Sequence, residues 1–143
     1  MQRLKIKLPV IRGAGRGKKI GIPTLNFQVP PSFSLEQGIY AGWLHVEEKT
    51  FPIAIHFGPR PTFGESAVTL EAHVIGPYGL STSLSQATIE FVARIRQVEN
   101  FTNPQEMVKQ IAKDIVMIQD ILKQGKNDYL PSSTRRGPPA GGG

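Results

Sequence analysis

The sequence predicts an all-β fold: an antiparallel sheet closed, or nearly closed, into a small barrel, followed by one helix. Three observations carry that prediction. Between Gly38 and Ile95 short runs of β-branched and aromatic residues alternate with turn residues. The runs follow one another with no helical pattern between them, which calls for antiparallel neighbours rather than parallel strands joined by crossover helices. A strong helical periodicity begins only after Asn103.

A first strand is expected over Leu4–Arg12 and a short second one near Leu25–Val29. Four more are expected over Ile39–Val46, Phe51–Phe57, Val68–Ile75 and Thr88–Ile95, separated by Glu47-Glu48-Lys49, Gly58–Gly64 and Gly76–Ser85. The total is about six strands. The helix starts at Asn103, which can cap it, with Pro104 at the first helical position and Glu106 placed for a capping box. Met107, Ile111, Ile115, Ile118 and Leu122 then recur at spacings of four, four, three and four. They form one stripe that packs on the sheet, leaving Lys109, Lys113, Asp114 and Asp120 elsewhere. Gly125 is the expected stop. The expected domain is 1–127, and residues 128–143, rich in Pro, Ser and Gly without a hydrophobic pattern, read as a disordered tail.

Composition removes several function classes. The chain has no cysteine, which excludes disulfides, thiolate catalysis and cysteine-ligated metals. No apolar run reaches the length of a membrane span, and the N-terminus lacks the apolar core of a signal peptide, so a cytoplasmic protein is expected. The formal charge is +6, and the positive end is local: Arg3, Lys5, Lys7, Arg12, Arg16, Lys18 and Lys19 all precede the first acidic residue, Glu36. Such a cluster suits a nucleic acid, a membrane surface or a small polyanion. Stacking aromatics, which a nucleic-acid surface would want near the cations, are missing from Gly13–Asn26.

Gly13-Ala14-Gly15-Arg16-Gly17-Lys18-Lys19 leads into Ile20-Gly21-Ile22-Pro23-Thr24-Leu25-Asn26. Glycines let backbone N–H groups approach an anion and the cations neutralise it. The segment matches neither the P-loop nor the dinucleotide fingerprint, and Pro23 interrupts the place where a helix should follow. The residues alone leave an anion cradle of another type and a basic surface turn both open. Pro23 restrains the chain so that Thr24 and Asn26 lie on one face of an extended strand, where a hydroxyl and a carboxamide oxygen suit Mg²⁺ or simply line a polar edge. In Val68–Ile75 the residues Val68, Leu70, Ala72 and Val74 form an apolar face, and Thr69, Glu71 and His73 share the other. Glu71 is there either a rigidly held general base or a solvated carboxylate. Arg60, set between Pro59 and Pro61, and Arg94 and Arg96 are lesser anion-binding candidates.

In order along the chain these segments resemble the riboflavin kinase family. The resemblance rests on Gly13-x-Gly15-Arg16-Gly17 with Ile20–Asn26, Gly38-Ile39-Tyr40-Ala41-Gly42-Trp43, Gly58-Pro59-Arg60-Pro61-Thr62-Phe63, Glu71-Ala72-His73, Tyr78-Gly79, and Arg96 ahead of Asn100-Phe101. It implies a six-stranded antiparallel Greek-key β-barrel with a C-terminal helix. It also implies transfer of the ATP γ-phosphate to the 5′-hydroxyl of riboflavin to give FMN. A monomer acting on these small molecules, with neither nucleic acid nor membrane as partner, is expected. Carried over, Glu71 is the base; Gly13, Gly15, Gly17, Lys19, Thr24 and Asn26 bind ATP; Thr24 and Asn26 hold Mg²⁺; Arg96 and Phe101 lie by the flavin. The chain departs from the family pattern at Leu25 (usually Ala), at His56-Phe57 (usually Asn-Ile), in a shorter link from Glu71 to Tyr78, and at Val98-Glu99. No adenylyltransferase domain is expected ahead of the barrel. The alternative is a flavin- or nucleotide-binding barrel with weakened turnover.

Overall fold

Six strands close on themselves in the order β1-β2-β5-β4-β3-β6, every pairing antiparallel. They are β1 (Leu4–Ile11), β2 (Thr24–Phe27), β3 (Gly38–Val46), β4 (Lys49–Arg60), β5 (Glu65–Val74) and β6 (Gln86–Arg96). A single helix, α1 (Pro104–Asp128), comes after them. The structure is a computed structural model that describes residues 3–11, 24–60, 64–76 and 84–128. β3, β4 and β5 form a meander and β6 returns beside β3, which is a Greek key. The strand count, the antiparallel pairing and the helix agree with the sequence expectation.

Period-two alternation sorts the side chains. Leu8, Phe27, Leu44, Ile53, Ile55, Phe57, Leu70, Ala72, Ile89 and Phe91 fill the interior. Leu25 packs against that core, so the residue that departs from the family pattern at this position is accommodated inside. Phe33, from the segment after β2, sits edge-on to Phe57 at 5.0 Å and tilted against Phe91 at 6.0 Å. With these rings and the packed side chains around them, the barrel interior is a filled core.

α1 covers part of the barrel's outer surface. Ile118 and Leu122 bury against Ala41 of β3, Ala54 of β4 and Ile75, with Trp43, Ile95 and Ile115 at the margin. The alanines are what let a helix approach the sheet this closely. The expected cap is present: Asn103 Oδ1 accepts from the Glu106 backbone N–H at 2.9 Å. The Glu106 carboxylate instead lies near Lys109 Nζ, at 3.4 Å.

Several expected boundaries shift: β4 begins at Lys49 rather than Phe51, β5 at Glu65 rather than Val68, and β6 at Gln86 rather than Thr88. The helix continues past Gly125 to Asp128, because one glycine costs a helix about 1 kcal/mol and does not by itself end it. β4 runs through Gly58 to Arg60, where a turn was expected, with a register irregularity between those two residues. The tail beyond Asp128 lies outside the described residues.

Candidate active site

Register places the polar residues of three strands in rows. Asn26 of β2 is opposite Glu71 of β5, which is opposite His56 of β4. One step along, Thr24 is opposite His73, which is opposite Ala54. Their strand neighbours Phe27, Leu70 and Phe57 point inward, so both rows lie on the barrel's outer face. Arg60, beyond the register irregularity that follows Gly58, reaches back over the first row.

Arg60 and Glu71 are both buried, 7% and 5% exposed, and are ion-paired at 2.8 Å. The same nitrogen of Arg60, Nη2, donates to Asn26 Oδ1 at 2.7 Å and to Glu71 Oε2 at 2.8 Å. His73 Nε2 lies 3.0 Å from Glu71 Oε1. An ionised carboxylate only accepts, so this nitrogen carries the proton. Burial by itself would raise the Glu71 carboxyl. The hydrogen bond and charge of His73, with Arg60 and His56, outweigh it and hold the group below the ordinary carboxylate range. His56 is driven the other way: burial pushes its pKa down to about 4, against the pull of the Glu71 charge, and so the ring is neutral at pH 7.

Among the described residues, three buried polar atoms here have no hydrogen-bond partner: His56 Nδ1, His73 Nδ1 and Arg60 Nε. All three belong to residues around Glu71. Buried polar groups are almost always satisfied, so the partners of these atoms lie beyond the described residues, whether in the rest of the chain, in water or in a ligand.

A second grouping sits where β6 meets α1. Arg96 Nε donates to both Asp114 oxygens, at 3.0 and 3.1 Å, and Nη2 to Asp114 Oδ2 at 2.7 Å. Nη1 is held by the Gln97 carbonyl at 3.0 Å. With its edge engaged, the guanidinium presents a flat face, 5.8 Å from the centre of the Phe101 ring.

Of the sequence candidates, Asn26 and Glu71 are brought into one array with Thr24 in the adjoining row, while Arg96 and Phe101 form a separate pair. Gly13, Gly15, Gly17, Lys19, Thr62 and Tyr78-Gly79 lie outside the described residues. Sequence reasoning placed Arg60 in a loop and set Asp114 apart from the packed stripe; both are buried partners of candidate residues. Asp114 falls three residues after Ile111 and four before Ile118, inside the stripe's own spacing, and that was the signal available.

Thr24, Asn26 and Glu71 offer hard oxygens of the kind Mg²⁺ takes. Asn26 Oδ1 keeps a second lone pair beyond the one Arg60 uses. No group of three or more His, Cys, Asp or Glu able to hold a metal occurs among the described residues. That donor set fits a cation which keeps its waters and takes phosphate oxygens for the remainder, rather than a protein-only cage.

Fold and site together define a closed Greek-key barrel with a polar, charge-paired array on the outside of the sheet. The comparisons with known proteins give the family. A family model described as Flavokinase, riboflavin kinase, matches residues 1–122. A riboflavin kinase from Meyerozyma guilliermondii is 25% identical over 136 residues, covering 74% of this chain and 76% of that protein. A bifunctional riboflavin kinase/FMN adenylyltransferase from Bacillus subtilis is 31% identical over 117 residues, covering 76% of this chain but only 35% of its own length. The crystal structure of riboflavin kinase from Trypanosoma brucei superposes with a TM-score of 0.65 at 20% identity, covering 94% of this chain and 91% of that one, a likeness of fold. The chain belongs to the riboflavin kinase family. No helix among the described residues is long and apolar enough to cross a membrane.

Proposed function

We propose that the chain transfers the γ-phosphoryl group of ATP to the 5′-hydroxyl of riboflavin, giving FMN and ADP. The observation that carries this reading, beyond family membership, is the row Asn26–Glu71–His56 with Arg60 across it. It sets a hard oxygen donor beside a buried, ionised carboxylate on rigid strands.

In the reaction the riboflavin oxygen bonds to the γ-phosphorus, the bond from that phosphorus to the β,γ-bridging oxygen breaks, and the hydroxyl proton passes to Glu71. A loose phosphoryl transition state asks for position and charge stabilisation more than for a strong base. Glu71 suits this: Arg60 and His73 keep it ionised and aimed, and its remaining lone pairs accept and orient the hydroxyl. Thr24 and Asn26 would hold Mg²⁺, which when bound screens the phosphate oxygens and stabilises the charge that develops on them. Gly13, Gly15, Gly17 and Lys19 would border the ATP phosphates, as the family resemblance implies. Arg96 and Phe101 would offer the flat surface beside which the flavin ring lies.

The test is incubation with riboflavin and Mg·ATP, following FMN by chromatography. The expected result is FMN from the wild type, with Glu71→Gln lowering kcat by about a hundredfold and Thr24→Ala weakening nucleotide use. Measurable riboflavin binding without FMN would overturn the enzyme reading in favour of a binding barrel.

A further inference from the structure

We propose that Arg60 is a positioning residue that couples the two halves of this site, fixing the carboxamide of Asn26 and the carboxylate of Glu71 in one frame. The inference rests on the phosphotransfer reading above. Its basis is the double donation from one nitrogen: the two hydrogens of Nη2 go to Asn26 Oδ1 at 2.7 Å and Glu71 Oε2 at 2.8 Å. One planar group thereby sets the distance between a nucleotide-side oxygen and the acceptor of the hydroxyl proton.

Two consequences come from donor and acceptor chemistry. A donor aimed at the Asn26 side chain requires that its oxygen, not its NH₂, be turned to this side of the site. The amide orientation that a cation needs is therefore imposed before any cation arrives. Arg60 also occupies Oε2 while His73 occupies Oε1, which limits how the Glu71 carboxylate can rotate.

A buried Arg–Glu pair can be purely structural, but two features here speak for a site. Arg60 makes a second contact, to an uncharged side chain that charge neutralisation does not need. Among the described residues its Nε is buried without a partner, as are His56 Nδ1 and His73 Nδ1 nearby. A structural ion pair is stable when its remaining hydrogen-bonding groups are satisfied, and none of the described residues satisfies these.

The experiment uses the full chain with Arg60→Met and Arg60→Lys, each also placed in Asn26→Ala and Glu71→Gln backgrounds. Mg·ADP affinity is read by calorimetry, and kcat and KM from FMN formation. Arg60→Met is expected to weaken Mg·ADP about tenfold and lower kcat about a hundredfold, since misplacement by about 1 Å costs that much. Because Arg60 acts through its partners, it should change Mg·ADP affinity by less than about twofold once Asn26 is Ala, and kcat by less than about twofold once Glu71 is Gln. Arg60→Lys keeps the charge but replaces the planar fork with a rotating ammonium, and carries the test if Arg60→Met does not fold. It should lower kcat about tenfold. Additive effects in both backgrounds would overturn the proposal, as would Arg60→Lys with wild-type kcat and Mg·ADP affinity. If Asn26→Ala and Glu71→Gln themselves behave as wild type, the phosphotransfer reading falls, and the coupling with it.

Discussion

Replacing Asp114 by Ala tests how β6 and α1 are joined. The Asp114 carboxylate is 4% exposed and receives three hydrogen bonds from Arg96 and one from Gln110 at 3.1 Å. Removing one member of a buried ion pair costs about 3–5 kcal/mol. The low end applies, because the Arg96 side chain keeps 18% exposure, its bond to the Gln97 carbonyl and a weaker partner in Glu99 at 3.7 Å. Alanine returns about 0.6 kcal/mol as the better helix former. The net expectation is a loss of about 2.5 kcal/mol, or roughly 7 °C in Tm for a chain of this size. Urea unfolding of the wild type, Asp114→Ala, Asp114→Leu, Arg96→Met and the double variant Arg96→Met/Asp114→Leu gives the coupling from the last three. The double variant should recover to within about 1 kcal/mol of wild type, since an apolar pair needs no charge compensation. A loss below about 0.5 kcal/mol in Asp114→Ala, or a double variant as unstable as the sum of the singles, would refute the argument.

Two further outcomes are expected. His56, packed near Glu71, His73 and Arg60, has a folded pKa of about 4, below the unfolded value of about 6.5; its contribution to stability is complete above the unfolded value and is lost as pH falls towards 4. About 3 kcal/mol should therefore disappear between pH 6.5 and 4, and His56→Asn should flatten that slope in urea titrations; a wild-type stability unchanged over this range would show the assignment wrong. At Gly42 an added Cβ would lie 2.3 Å from the Glu90 backbone oxygen and 2.6 Å from Ile55 Cδ1. The isoleucine tip can move but the β3–β6 backbone cannot, so Gly42→Ala should cost about 3 kcal/mol in denaturant unfolding, and a loss under about 1 kcal/mol would contradict this packing.

What the sequence made legible is what local signals encode. Alternation over Val68–Ile75 put Leu70, Ala72 and Val74 inside and grouped Thr69, Glu71 and His73 outside, as the structure has them, but Val68, expected on the inner face, is 43% exposed. Asn103 and Pro104 placed the helix start to the residue. Gly125 misled because a glycine can be either a stop or an interior residue, and the choice depends on the residues after it. Gly58-Pro59-Arg60 read as a turn for a similar reason: its residues punctuate chains, yet a strand edge with a bulge tolerates them.

The state of Glu71 shows why the rest was not legible. A carboxylate on the polar face of a strand has the same sequence pattern whether water or an arginine meets it. What decides is register across β2, β5 and β4, together with a β4 that runs far enough for Arg60 to reach back over that row, and neither is a property of neighbouring residues in the chain. Once Arg60 is in place, a buried charge becomes tolerable at Glu71, and His56 stays neutral beside it. Replacing the family's usual asparagine by histidine at this position thus adds a ring without adding a second buried cation. With Arg60 balancing Glu71 and His56 uncharged, the substituted position adds no uncompensated charge to the row.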